Sequence, residues 1–192
     1  MEVLTSKIVD NTFISACIYE INSVDILKTS SLQYNFITSE IVQIETNDGD
    51  FDIDLVNDAY GIISPVNLNH DKYDELREYL LNRYPKLHDG EVSAFLLALL
   101  EYGINGLKYY YITDDAIMKK TILNLNNDEQ FLSMLEESFD FENFNVTGTI
   151  GFIRRLIDNK YLDEKHIEDI LIDLENNGFY LNEKIKNHLR GI

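Results

Sequence analysis

The chain has 192 residues, of which 45% are hydrophobic, with a single cysteine and a formal net charge of −18. That length suits one domain burying roughly 70% of its unfolded surface, and the apolar content excludes a disordered acidic tail. Cys17 alone excludes an internal disulfide and fits a reducing compartment. No apolar run approaches the ~18 residues of a membrane span. Glu2 and the absence of an unbroken apolar signal core point to a cytoplasmic protein that is not exported.

In chain order, Ser6–Asp10 reads as a short buried strand that ends in an aspartate. Asn11 and Thr12 start a helix with Phe13, Ile14, Cys17, Ile18 and Ile21 on its apolar face. Asp25–Lys28 leads into a polar turn, and Tyr34–Thr38 alternates like a strand. Ser39 caps a helix through Ile41, Val42 and Ile44, with Glu45 on the next turn. Residues 46–60 are strongly acidic but lack the ligand spacing and closing glutamate of a calcium loop, so they read as a solvated approach to a helix. Ile62–Val66 is a strand whose Pro65 places it at an edge or an end. His70–Tyr84 is an amphipathic helix with Tyr73, Leu76, Leu80 and Leu81 inward.

The stretch from His88 to Asp115 organises the rest. Asp89 is placed to cap a helix, Glu91 opens it, Val92, Phe95, Leu96, Leu99 and Leu100 follow its period, and Gly103 supplies a stop. Leu107–Ile112 is a strand, with Thr113, Asp114 and Asp115 directly after it. Tyr109, Tyr110 and Tyr111 read as strand filling. A helix over Ala116–Leu123 comes next, and the acidic residues 124–144 include a short helix, Glu129–Ser138. Asn145–Thr149 is a strand and turn, and helices follow over Ile150–Lys160, Glu164–Asn176 and Asn182–Leu189. Strands alternating with helices predict a three-layer α/β/α fold around a mainly parallel sheet. Residues 1–192 form a single domain, with an acidic insertion at about 124–144.

In such a sheet Asp10, Glu45, Glu91, Asp114 and Asp115 fall at strand ends or helix starts on the ligand-binding side. Carboxylates held together repel unless they share protons or bind a cation. Oxygen-only ligands select hard ions such as Mg²⁺ and Mn²⁺, which activate water for attack on phosphorus. The same residues also suit helix capping and the helix dipole. A receiver-like phosphoacceptor wants an aspartate pair at the first strand, and Asp10–Asn11 does not supply one.

The order of these residues resembles the PIN-domain family of metal-dependent ribonucleases. The likeness is to a subgroup with a Gly-Glu helix start, an Asp-Asp strand end and a Thr-Gly-Thr turn, here Gly90–Glu91, Asp114–Asp115 and Thr147–Gly148–Thr149. The family's first aspartate matches Asp10, its Val-x-x-Glu matches Val42 to Glu45, its third acid matches Glu91 and its fourth matches Asp115. Two features depart from the pattern: Asn11 precedes Thr12, and Lys119 stands where an arginine commonly follows the acidic pair.

The resemblance implies a PIN-like endoribonuclease. Asp10, Glu91 and Asp115 would hold Mg²⁺ or Mn²⁺, with Glu45 and Asp114 as further ligands or orienting groups. Similar proteins are toxins of bacterial toxin–antitoxin pairs, so the expected partners are RNA and an antitoxin or other protein, with a homodimer a further option and no membrane. Thr147, Thr149, Lys119, Arg154 and Arg155 are the candidate RNA contacts, the threonines doubling as turn formers and the arginines as solvated helix charge. His70, His88, His166 and His188 lack ligand spacing and read as structural or solvent-facing. The charge of −18, which repels nucleic acid at long range, favours a different function: a non-catalytic acidic module that binds a basic partner or mimics nucleic acid.

Overall fold

Strand β1 (Thr5–Val9) lies at the centre of a wholly parallel five-stranded sheet. The computed structural model describes residues 5–21, 24–103, 109–135 and 145–192. The other strands are β2 (Tyr34–Ser39), β3 (Ser64–Val66), β4 (Tyr109–Ile112) and β5 (Asn145–Thr147), in the order β3-β2-β1-β4-β5. The chain therefore builds outward from β1 to one edge, returns, and builds outward to the other. The reversal falls between β1 and β4, and ligands bind outside the carboxyl ends of such neighbouring strands. Pro65 sits in the edge strand β3, where a missing amide donor is tolerated.

Register assigns the two faces of the sheet. Ile8 pairs with Ile37 and Tyr111 on one face, and Val9 pairs with Ile112 on the other. Helix α6 (Asp89–Leu97) covers the first face, where the Phe95 ring lies 6.3 Å from that of Tyr111. Helices α1 (Asn11–Ser15) and α9 (Thr149–Asp158) cover the second. There Phe152 meets Phe13 at 5.4 Å and Phe36 at 5.8 Å, both edge-on, the geometry that ring quadrupoles favour. The expected three-layer α/β/α fold with a parallel sheet is what the chain adopts. No helix among the described residues is long and apolar enough to cross a membrane.

The remaining helices are α2 (Asp25–Ser31), α3 (Glu40–Asp48), α4 (Ile53–Tyr60), α5 (Tyr73–Arg83), α7 (Ala116–Leu125), α8 (Glu129–Leu135), α10 (Ile167–Asn176) and α11 (Glu183–Arg190). Several elements differ from expectation. Asp25–Lys28 leads into a turn only after a helix, α2, that runs on to Ser31, because Ile26, Leu27 and Ser30 are buried and the Ser30 hydroxyl bonds back to the Ile26 carbonyl at 2.6 Å. The acidic stretch yields α4, whose cap is Asp52. Asp89 does not cap α6. It lies inside the first turn and is bound at both carboxylate oxygens by Arg77 of α5, while His88 takes the cap position.

The helical run that starts with α6 passes into a π-helical turn over Ala98–Gly103, whose last residue is the expected stop, Gly103. A second π turn, Ala16–Glu20, follows α1. The expected strand residues Leu107 and Lys108, the end of the expected helix over Glu129–Ser138, and residues 136–144 of the acidic insertion lie outside the described residues.

Candidate active site

β1 and β4 deliver two acidic termini side by side. Asp10 directly follows β1, and its amide donates to the Ile112 carbonyl at the end of β4, 3.3 Å away. Its side chain caps α1 by accepting from the Phe13 amide at 3.2 Å. Thr12 ties the two strand ends together: its hydroxyl donates to Asp10 Oδ1 at 2.6 Å and accepts from the Asp114 amide at 2.8 Å. Two further threonines finish the frame. Thr38 donates to the Val9 carbonyl at 2.6 Å, and the Thr113 hydroxyl accepts from the Asp115 amide at 3.0 Å.

The Asp10 carboxylate is fully buried. Its Oδ2 has no hydrogen-bond partner, the one such buried side-chain atom among the described residues. Burial pushes this carboxyl up to about 6, against the pull of the Thr113 and Thr12 hydroxyls, and the Asp114 charge adds to the rise. An orphaned acceptor of this kind is costly unless something fills its lone pairs.

Glu91, in the first turn of α6, accepts from the His88 amide at 3.2 Å. Burial raises its carboxyl to about 7, and the charges of Asp115 and Asp10 contribute to the rise. Glu91 therefore feels the charges of both strand-end acids. Tyr111, buried beneath them, donates from its hydroxyl to the Glu91 carbonyl at 3.2 Å. Asp115 also caps α7, accepting from the Met118 amide. Glu45 reaches over from α3 to accept the Gly90 amide at 3.0 Å. It sits so close that a Cβ on Gly90 would lie 2.0 Å from its Oε2, so a larger residue there would push the Glu45 carboxylate aside. A cavity of about 280 Å³ opens between Asn11, Thr12, Glu45, His88 and Glu91.

Asp114 points elsewhere. Its carboxylate accepts the Thr149 amide at 3.0 Å and the Thr149 hydroxyl, and it faces Lys119 at 3.9 Å. It is a clamp on the start of α9. Thr149 is consumed by that clamp and fully buried, so its amide and hydroxyl are not open to a phosphate. Thr147 Oγ1 lies near Gly151, where a Cβ would approach it to 2.4 Å.

The two arginines split. Arg154 donates to the Leu189 carbonyl at 3.1 Å and pairs with Asp158, so it latches α11. Arg155 stacks over Tyr110 at 4.2 Å, on a ring that Lys7 also approaches at 3.5 Å. Nothing in the sequence singles out Lys7, because one lysine in a strand looks like an outward-facing charge. It is 1% exposed, and burial followed by the Arg155 charge lowers its pKa to about 7. Thr12 is legible in the sequence only as a departure from the family pattern, and no sequence signal marks Glu20, which lines a groove with Asp114.

Among the described residues, no group of three or more His, Cys, Asp or Glu side chains closes into a ready cage for a metal ion. The donor types are those a hard cation takes: oxygen ligands only, with Glu91 raised by the charges of Asp115 and Asp10, and Asp10 keeping an unfilled oxygen. No family model, curated protein or solved structure matches the chain.

Proposed function

We propose that this chain is a divalent-metal-dependent endoribonuclease of PIN-like type. The observation that carries the proposal is the orphaned Oδ2 of buried Asp10 at the switch point of the sheet, with Glu91 near enough to feel the charges of both Asp10 and Asp115. Asp10, Glu91 and Asp115 would hold Mg²⁺ or Mn²⁺, and the bound ion supplies a water of lowered pKa and a Lewis acid for the phosphodiester. Thr12 and Thr113 fix the strand ends that carry Asp10 and Asp115. Glu45 orients the Glu91 turn through the Gly90 amide, and Asp114 orients α9. Arg154 is assigned to the fold rather than to RNA.

Thermal melts test this reading. In EDTA, Asp10→Asn melts above the wild type, because the variant no longer buries an unpaired charge. With Mn²⁺ the ranking reverses, since the wild type gains roughly 2.7 kcal/mol at a hundred times Kd and the variant gains less. Cleavage of single-stranded RNA falls by orders of magnitude in the variant. Melting curves that never cross on adding Mn²⁺, together with RNA that stays intact, would overturn the assignment.

A second reading rests on the charge of −18. In it the same scaffold is an acidic module that captures a basic protein, and the acids at the switch point are helix caps, as Asp10 and Asp115 both are. It requires that Mn²⁺ leave the melting temperature of the wild type unchanged.

A further inference from the structure

A groove larger than the small cavity over Glu91 lies near the acidic cluster. It has a volume of about 700 Å³ and shares Asp114 and Lys119 with the cluster's rim. One wall is the start of α9, with Gly148, Ile150 and Gly151, and the opposite wall comes from the C-terminal segment. Gly178, at φ +86°, makes the left-handed turn that sends Phe179 and Tyr180 into this wall.

Three features of the groove point to its occupant. Tyr180 is 76% exposed, a large ring held in water at the groove edge without a packing partner that hides it. Lys184 and His188 are four residues apart on α11, so they share the helix face that lines the groove. The other cations of α11 are neutralised away from it: Lys186 binds Glu175 at 2.9 Å, and Arg190 binds Glu168 at 2.7 Å. Lys184 is exposed, and no carboxylate among the described residues pairs with it. Glu20 and Asp114 balance Lys119 and Lys184 in the lining, so in a chain of charge −18 the groove is a locally neutral place, with an unpaired cation beside an exposed ring and an apolar floor of Ile150 and Ile185.

We infer that this groove holds a single-stranded segment of the nucleic acid cut at the acidic cluster, with a base stacked on Tyr180 and phosphates on Lys184 and His188. The inference rests on the nuclease reading for the identity of the strand and adds the residues that grip it. A ring stacks on any base, whereas a duplex hides its base faces, so the groove selects unpaired strands. Gly148 and Gly151 keep the floor open: a Cβ on Gly148 would lie 2.4 Å from Asp114 Oδ1 and 2.8 Å from Lys119 Nζ. Glu20, also in the wall, keeps phosphates toward the α11 side.

The test is fluorescence anisotropy of a labelled single-stranded oligouridylate on the full chain, with Mn²⁺ present and Asp10→Asn as the background so that the probe survives. Tyr180→Ala weakens binding roughly tenfold to a hundredfold with little change of salt slope, as removal of one stacked base requires. Tyr180→Phe restores it, because the ring rather than the hydroxyl is the platform. Lys184→Glu weakens binding and flattens the salt slope by about 0.7 for each phosphate that is no longer neutralised. A blunt-ended duplex RNA binds at least tenfold less tightly. Both side chains project into solvent, and unchanged melting temperatures confirm that the variants fold.

Tyr180 and Lys184 variants that bind like the background overturn the groove, as does a background protein that binds no RNA. The nuclease reading fails separately. If the Tyr180 and Lys184 variants lose binding while wild type and Asp10→Asn cleave alike or not at all, the groove stands as an RNA site without the proposed catalyst.

Discussion

Three ionisable residues with shifted pKa values make stability depend on pH, Asp10 and Glu91 in one direction and Lys7 in the other. Asp10 and Glu91 titrate near 6 and 7 in the native protein, against about 4 in the unfolded chain. Between those values the native state binds more protons, so stability is greatest at the acid end of the window and falls as pH rises from about 4 to about 7. For fully buried Asp10 the effect is on the order of 3 kcal/mol, and for half-exposed Glu91 solvent screening makes it smaller. Lys7 behaves inversely. Its lowered pKa means the native state binds fewer protons above about 7, so its contribution to stability grows from pH 7 toward 10. In EDTA, the wild type is therefore expected to melt at a higher temperature at pH 5.5 than at pH 7.5. Asp10→Asn should remove much of that difference while keeping the α1 cap, because an asparagine oxygen still accepts from the Phe13 amide. A variant with the same pH slope as the wild type would contradict the assignment to Asp10.

At the level of elements, α9 is held from both ends by groups that the sequence presents as candidate RNA contacts. Its start is clamped by Asp114 through Thr149, and its Arg154 latches the end of α11 through the Leu189 carbonyl. Gly191 adopts a left-handed φ of +77°, and a Cβ there would lie 2.7 Å from Arg154 Nη1. The arginine thus packs against bare backbone. Arg154→Met keeps the aliphatic stem and loses both polar partners, at an expected cost of about 1–2 kcal/mol in urea unfolding. RNA affinity, measured on protein still folded, should stay within twofold of wild type. The other substitution that tests this element is Phe152→Ala. It leaves a void among Phe13, Phe36 and Tyr34 and should cost ~3–5 kcal/mol. If Arg154→Met instead leaves stability intact and weakens RNA binding, the latch is a misreading.

For the molecule as a whole, the charge of −18 is a mutual repulsion that the fold withstands. The cations of the last third are largely engaged: Lys165 with Asp163, Lys186 with Glu175, and Arg190 with Glu168. These are exposed pairs of small value, so they do not offset the net field. Screening should. Raising NaCl from about 20 mM to about 500 mM shortens the Debye length from roughly 20 Å to roughly 4 Å, and the melting temperature of the metal-free protein is expected to rise. Mn²⁺ at concentrations that saturate the site should add a further increase at fixed ionic strength, where Mg²⁺ or Mn²⁺ binding is distinguished from screening. A melting temperature that falls with added NaCl would show that ion pairs, not repulsion, dominate this surface.

Sequence alone was enough for the alternation of elements and the edge position of Pro65, because hydrophobic period and the missing proline donor are local properties. It also placed acids at the ends of β1 and β4 and at the start of α6. What it could not carry is which partners those acids meet. Asp89 and Asp114 look equivalent to Glu91 and Asp115 along the chain, yet Arg77 and the Thr149 turn take them, and these partners lie 12 and 35 residues away. Lys7, Tyr180 and Lys184 were equally illegible. A lysine in a strand is buried or solvated according to the rings packed over it, and an exposed tyrosine gains meaning only from the groove beside it. Side-chain identity sets what a residue can bond. The β3-β2-β1-β4-β5 order decides what surrounds the buried Asp10 carboxylate, because it brings the ends of β1 and β4, distant in the chain, side by side.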